Sequence, residues 1–349
     1  MKDTKRAHIL RELKRFALTA PNGISRANAA KQLSIDLRTA SAYLEELTYN
    51  GFLRGEVKKS GGKGRPHTIY RSNAGQLAFL GLLIQSNLSL YATVINAAGQ
   101  QLYHEEIKIP EYASRLSIFV VILDLVKRIR DNEKYRLYGV GIAISRWLQP
   151  PLAGEDVYIN LADYIERETG LAVYRDVNIN AVAFEQARKL NCRNLALVHT
   201  GKVIEFGLVH NGLPVRDFTK REEWLAHLCV NPNGRRCYCG KYGCLENYVS
   251  FGARHERFAA DDSPAALRML GNMLGVAMVR LVKKYPVQCV LLMGCQDIFP
   301  AAEEYFISRA PAGINILCPR LNYSVEYGVA LMSAHMELHR FAEDTRYKD

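Results

Sequence analysis

Four side chains able to bind a soft metal lie close together in the sequence: His227, Cys237, Cys239 and Cys244, with Gly234, Gly240 and Gly243 among them. Three thiolates and one imidazole make the donor set of a closed tetrahedral zinc site, and glycines let the backbone fold back so that ligands near in sequence can converge. The spacing predicts a structural Zn2+ held by all four, leaving no open position for an activated water. A cluster of reduced, buried cysteines beside a histidine is the alternative. The remaining cysteines, Cys192, Cys229, Cys289, Cys295 and Cys318, are scattered and read as reduced thiols of a cytoplasmic protein.

The elements that position these residues belong to a chain of 349 residues, 48% of them apolar, which is enough for two or three domains. The first six residues lead into no apolar run of the secretory kind, and export is not expected. The stretch 118–126 is interrupted by Asp124 and is shorter than the ~20 residues that cross a bilayer. No membrane segment is expected. Charge is uneven: residues 1–75 hold 15 Lys and Arg against 6 Asp and Glu, so they carry +9 of the chain's formal +11. A basic front end on a nearly neutral body points to a polyanionic partner, with duplex DNA the first candidate and a solvated basic face the alternative.

Apolar periodicity sorts these two readings. Residues 5–18 place Ile9, Leu10, Leu13, Phe16 and Ala17 on one helical face, and Pro21-Asn22-Gly23 ends the run. A second helix is expected over 25–33 with Ser25 as its cap, and a third over 37–49, with Ala40, Leu44 and Leu47 inward and Asn50-Gly51 as its stop. This is helix-turn-helix spacing, although a plain three-helix module shares it. The third helix presents Arg38, Thr39, Ser41, Ala42 and Glu45 as candidate base-reading residues. Beyond it, Phe52-Leu53-Arg54, leading into Val57 to Pro66 and then Thr68-Ile69-Tyr70, reads as a two-stranded wing with a flexible basic tip. Lys58, Lys59 and Lys63 are candidate phosphate contacts, and Gly64-Arg65-Pro66 suits a narrow minor groove.

The zinc-type segment, followed at once by Glu246, resembles the signature of the ROK family of repressors, open reading frames and sugar kinases. The order of helix-turn-helix, glycine-arginine-proline wing and α/β body resembles the family's transcriptional repressors. Strands over 78–84, 89–96 and 101–109, a helix over 118–130 and a strand over 138–143 give the β-β-β-α-β order of an actin-like, sugar-kinase fold. A second such unit is expected from 194 onward. The expected fold class is therefore α/β, with an N-terminal winged helix-turn-helix (1–72) and a two-lobed body. Its first lobe spans 76–190, joined by a returning C-terminal helix over 325–345, and its second lobe, 191–324, carries the zinc.

Against that resemblance the chain lacks what a kinase needs. Family kinases open with an aspartate and Gly-Gly-Thr, whose amides cradle phosphate. Here the matching positions are Leu83, Gln85, Ser86 and Asn87. The second phosphate loop matches Gly201 to Gly207 with most glycines replaced, and the third, Met293-Gly294-Cys295-Gln296, keeps one. The family's catalytic aspartate matches Asn178, which cannot accept a proton; Asp176 lies two residues upstream, out of register. No catalytic residue is assigned. Sugar-contacting positions of the family match Trp224, His227 and Glu246. Together with Trp147 and Asn178 these are the candidate effector residues, though both tryptophans could equally fill the space a sugar once occupied.

The sequence thus leads to a cytoplasmic, non-enzymatic DNA-binding regulator, acting as a repressor. It is expected to bind a double-stranded operator as a homodimer or higher homo-oligomer, and to answer to a sugar-derived effector or a protein partner. A sugar or amino-sugar kinase carrying a DNA-binding arm is the alternative function.

Overall fold

The helices at the front of the chain form where capping and apolar spacing coincide. Described residues between 6 and 17 are helical, with Ile9, Leu13 and Ala17, four apart, buried. Ser25 Oγ accepts the Asn28 N–H at 3.1 Å and caps the helix Arg26–Gln32. A turn with Ser34 at φ 51° leads to the helix Leu37–Tyr49, where Asp36 accepts from the backbone N–H and hydroxyl of Thr39 at 2.8 and 2.6 Å. Ala40, Leu44 and Leu47 are its buried stripe. Gly51, at φ 72°, turns the chain into β2 (Leu53–Lys58), which pairs antiparallel with β3 (His67–Ser72). The other edge of β3 takes β1 (Ile24–Ser25), a strand too short to leave a trace in the sequence.

The structure is a computed structural model. It describes residues 6–339 except 7–8, 11, 15, 18–19, 21, 59–66, 74, 86–88, 111–112, 145–154, 216–223, 258–260 and 321–322, and leaves out the side chains of 144, 155–158, 257 and 338–339. The chain divides into two compact units, residues 1–175 with 329–349, and residues 176–328.

In the first unit, β4 (Leu77–Ile84), β5 (Ser89–Asn96) and β6 (Gln101–Lys108) form an antiparallel meander, and β7 (Arg136–Ile144) joins β4 in parallel. With β8 (Ala172–Val177) the sheet order is β6-β5-β4-β7-β8. All eight residues of β4 are buried, as expected of a central strand covered on both faces. The helix Arg115–Arg130 contributes Ile118, Ile122, Leu125, Val126 and Ile129 to the core, and the helix Glu155–Thr169 contributes Leu161 and Ile165. The latter part of the helix Val325–His339 lies against β7, where a Cβ on Gly141 would stand 2.3 Å from the Val329 carbonyl oxygen. Glycine is required at that crossing.

Within the same unit, the front of the chain meets β7 at Tyr138. Phe52 meets Tyr138 edge-on with ring centroids 6.4 Å apart, and the Tyr138 hydroxyl donates to the Asn50 carbonyl, at the end of the helix Leu37–Tyr49.

The second unit repeats the plan. β9 (Leu195–Thr200), β10 (Ile204–His210) and β11 (Leu213–Pro214) are antiparallel, and β12 (Cys289–Met293) and β13 (Asn315–Leu317) are parallel, giving the order β11-β10-β9-β12-β13. The helix Pro264–Lys284 lies between its third and fourth strands and the helix Phe299–Ile307 between its fourth and fifth. The first unit's sheet has the same connectivity, so the second unit expected from 194 onward is built on the plan of the first. Pro264–Lys284 is long and apolar enough to cross a bilayer, with mean hydropathy 1.4 over its best window, whereas the 118–126 stretch is too short. Leu270, Leu274, Ala277, Met278 and Leu281 place it in the unit's core.

The division falls between Arg175 and Asp176, so the helix Asn178–Lys189 belongs to the second unit and not, as expected from sequence, to the first. Its contacts explain this. A Cβ on Gly207 of β10 would lie 2.7 Å from the Ile179 carbonyl oxygen, so the helix backbone rests directly on the second sheet.

Candidate nucleic-acid interface, metal centre and effector residues

On the helix Leu37–Tyr49, Arg38, Ala42, Glu45 and Tyr49 are exposed and succeed one another at four-, three- and four-residue steps, one stripe along the helix. Ser41, expected on this face, is only partly exposed, because it leans along the helix toward Glu45 at 3.4 Å. Thr39 spends its hydroxyl on the Asp36 cap. Glu45 is held by Arg26 at 2.9 Å, and Arg26 also donates to the Tyr70 hydroxyl of β3 at 3.1 Å. That contact ties the exposed stripe to the strand pair beside it. Tyr49 is 90% exposed, and sequence reasoning passed over it although the same periodicity reaches it. Lys58 is exposed at the end of β2, whereas Lys59, Lys63, Gly64 and Arg65 lie outside the described residues.

The four metal-type side chains come together. The ligand atoms of His227, Cys237, Cys239 and Cys244 all lie within 4.8 Å of one another, a group that could hold a metal ion. Turn chemistry achieves this. The Cys237 N–H donates to the Lys241 carbonyl at 2.7 Å and the Gly240 N–H to the Cys237 carbonyl at 2.9 Å, closing a tight loop in which Gly240 takes φ 86°. Gly243, at φ 68°, passes so close to Asn231 that a Cβ would stand 1.6 Å from its carbonyl oxygen. Cys237 and Cys244 are buried, and Cys239 is the most exposed of the three cysteines. Burial, then the neighbouring sulfurs, push the Cys244 thiol up to about 12. Burial also raises Cys237. Sulfurs this crowded would become thiolates together only with a cation among them.

The candidate effector residues of the second unit have structural partners. Glu246 is fully buried and its carboxylate accepts the Ile204 N–H at 2.8 Å, at the start of β10. Trp224 packs edge-on against Tyr285 at 6.1 Å, and the Lys284 ammonium sits 4.1 Å from its ring centre. His227 Nδ1 lies 3.5 Å from the Cys237 sulfur. Asn178 opens the helix Asn178–Lys189, and its Oδ1 is buried with no hydrogen bond from the described residues. Trp147 is outside the described residues. Asp176, buried beside Asn178, accepts from the Val177 N–H at 2.8 Å and the Asn180 amide at 3.0 Å, which anchors the start of that helix.

At the segments matched to phosphate loops, the described residues make contacts with other parts of the protein. Gln85 N–H donates to the Ser89 carbonyl at 2.9 Å, sealing the β4–β5 hairpin, with 86–88 outside the described residues. Thr200 pairs with Ile204, so only Gly201, Lys202 and Val203 remain as a loop between β9 and β10. Over that loop lies the His199 ring, 2.6 Å from where a Gly201 Cβ would be and 3.0 Å from the carboxylate of its cross-strand partner Glu205. The Gly201 carbonyl accepts the Phe251 N–H at 2.8 Å. Beside it, Gly294 turns at φ 79°.

Comparison with known proteins fits this geometry. The sequence profile of the ROK family matches residues 88–269. The DNA-binding transcriptional repressor Mlc of Escherichia coli (strain K12) is 29% identical over 208 residues, 56% of this chain and 51% of that protein. Kanosamine kinase of Amycolatopsis mediterranei (strain S699) is 29% identical over 136 residues, 36% of this chain and 44% of that enzyme. The chain thus spans about half the length of these curated relatives. A solved ROK family transcriptional regulator, a homologue of the E. coli MLC protein, superimposes with a TM-score of 0.74 over 97% of each chain at 17% identity, a likeness of fold.

Proposed function

Because the chain belongs to the ROK family, we propose that it is a DNA-binding transcriptional regulator, a repressor, whose kinase-like body transfers no phosphate. The observation that carries this reading is the exposed stripe of Arg38, Ala42, Glu45 and Tyr49 on the second helix of a helix-turn-helix, flanked by the β2–β3 hairpin as a wing. A helix so placed enters a major groove, and the basic tip with Lys59, Lys63 and Arg65 reaches phosphates and the minor groove. Residues 1–72 form the DNA-binding domain. A homodimer supplies two such helices to a palindromic operator in the cytoplasm.

The same reading makes the cluster a structural zinc site. Tetrahedral Zn–S and Zn–N bonds put two sulfurs about 3.8 Å apart and a sulfur and nitrogen about 3.6 Å apart. The Cys239–Cys244 and Cys237–His227 distances, 3.6 and 3.5 Å, suit that ion. The occupied loop at His199 and Glu205 and the amide of Asn178 in place of a carboxylate support the absence of phosphotransfer. The buried Asn178 Oδ1 is an acceptor that a hydroxylated, sugar-derived effector could satisfy.

Selection of bound duplexes from a random pool tests the function. The full chain enriches a palindromic sequence, and Arg38→Ala relaxes preference at a base pair by about 1–3 kcal/mol, whereas Lys63→Ala weakens all duplexes alike and flattens the salt dependence. Equal losses on selected and random DNA for both variants would reverse the assignment, and turnover of ATP with any sugar would refute the inert body.

A further inference from the structure

Two cysteines outside the metal cluster meet where two parallel strands end. β12 and β13 pair from Cys289 with Asn315 to Leu291 with Leu317, so the chain leaves both strands side by side, at Gly294-Cys295 and at Cys318. The two sulfurs are 3.7 Å apart. Cys295 is fully buried in the core of the second unit, while Cys318 packs at its margin and is only partly buried. Their mutual hydrogen bond, with burial, raises the Cys295 thiol, and the same contact holds the Cys318 thiol down. One cysteine is therefore partly exposed and its thiol the more readily ionised, with a second, buried thiol beside it. That is the arrangement of an attacking and a resolving thiol.

We propose that Cys295 and Cys318 form a peroxide-sensitive dithiol that closes to an intramolecular disulfide. The Cys318 thiolate attacks one oxygen of hydrogen peroxide; the S–O bond forms as the O–O bond breaks, and the departing hydroxide takes a proton to become water. The Cys295 sulfur then attacks the sulfenic sulfur of Cys318. The S–S bond forms as the S–O bond breaks, and the second hydroxide leaves as water with the proton of Cys295. The two thiols together lose two electrons, and the peroxide gains them. A disulfide of about 2.05 Å requires the sulfurs to close by less than about 2 Å, within reach of side-chain rotation at Cys318 beyond the edge strand. The bond would staple β13, only three residues long, to β12 and fix the turn at Gly294.

The test uses zinc-loaded full-length protein treated with a few equivalents of hydrogen peroxide, blocked with N-ethylmaleimide and digested with trypsin without reduction. The expected product is peptide 285–309 linked to peptide 310–320, with fragmentation placing the bond at Cys295 rather than Cys289, and with full reversal by dithiothreitol. Cys295→Ser should leave Cys318 as a sulfenic acid trapped by a cyclic 1,3-diketone. Cys318→Ser, at the margin of the core, should leave Cys295 reduced and unlinked, which keeps the idea testable should Cys295→Ser not fold. Oxidation of Cys237, Cys239 or Cys244 while Cys295 and Cys318 remain free thiols would overturn the proposal, as would irreversible oxidation of Cys318 without a link.

Discussion

Gly243→Ala should unfold the metal turn, and Gly240→Ala, three residues away in the same loop, should not. Both glycines have positive φ, 68° and 86°, so alanine at either costs roughly 1–2 kcal/mol for the left-handed conformation. At Gly240 that is the whole effect, because nothing lies within 4 Å of the new Cβ. At Gly243 the Cβ meets the Asn231 carbonyl oxygen at 1.6 Å, a position no side-chain rotation relieves, since the obstacle is backbone. Asn231 must move, and the move strains the bonds from Val230 N–H and Asn231 N–H to the Gly243 carbonyl, 2.8 and 3.3 Å, and from Gly243 N–H to Arg235, 2.9 Å. Overpacking of roughly 1–3 kcal/mol and one or two hydrogen bonds at about 1 kcal/mol each bring the total to roughly 3–7 kcal/mol. For a unit of this size that is a fall in Tm of roughly 6–28 °C, against roughly 2–8 °C for Gly240→Ala. Calorimetry read together with zinc content decides it. Melting of the two variants within about 3 °C of each other, both with full zinc, would refute the reasoning.

Other perturbations probe separate joints. Tyr138→Phe removes the hydroxyl that donates to the Asn50 carbonyl and should destabilise the front of the chain by about 1 kcal/mol, measured as faster amide exchange in the helix Leu37–Tyr49; unchanged exchange there would show the contact to be idle. Trp224→Ala should lower the Tm through lost packing on Tyr285, a cost of about 3 kcal/mol, even without any ligand; a variant with parental Tm and altered sugar response would place Trp224 in a pocket instead. Glu185 is buried and its carboxyl is raised by that burial, against the opposing pull of Lys189. A raised carboxyl holds more protons when folded, so its contribution declines as pH climbs from about 4.5 through the raised value. Glu185→Gln should flatten that decline in urea melts taken across the window, and an unchanged slope would discard the linkage.

What the sequence revealed depended on how local the signal was. The helix Leu37–Tyr49 and the buried stripe Ala40, Leu44 and Leu47 follow directly from periodicity and from Asp36 and Asn50-Gly51 at its ends. The metal cluster was legible because its ligands sit within one folded-back loop whose glycines announce the turns. The assignment of the helix Asn178–Lys189 to the second unit was not, since it depends on Gly207 allowing a close approach from a distant strand. The Cys295–Cys318 contact was equally invisible, because only the parallel pairing of β12 with β13 brings the two together. His199 over Gly201 needs the hairpin register that sets it opposite Glu205. Tyr49 falls on the same exposed stripe, but at the last turn of the helix rather than at its start, where base-reading residues are expected.

Genome-wide occupancy of the tagged full-length protein in living cells tests the central claim most directly. The account predicts discrete sites that share a palindromic motif, with half-sites spaced by whole turns of the duplex, and that fade in the Arg38→Ala variant while protein abundance holds. Occupancy no different from an untagged control, or peaks unaffected by Arg38→Ala and Lys63→Ala alike, would contradict it.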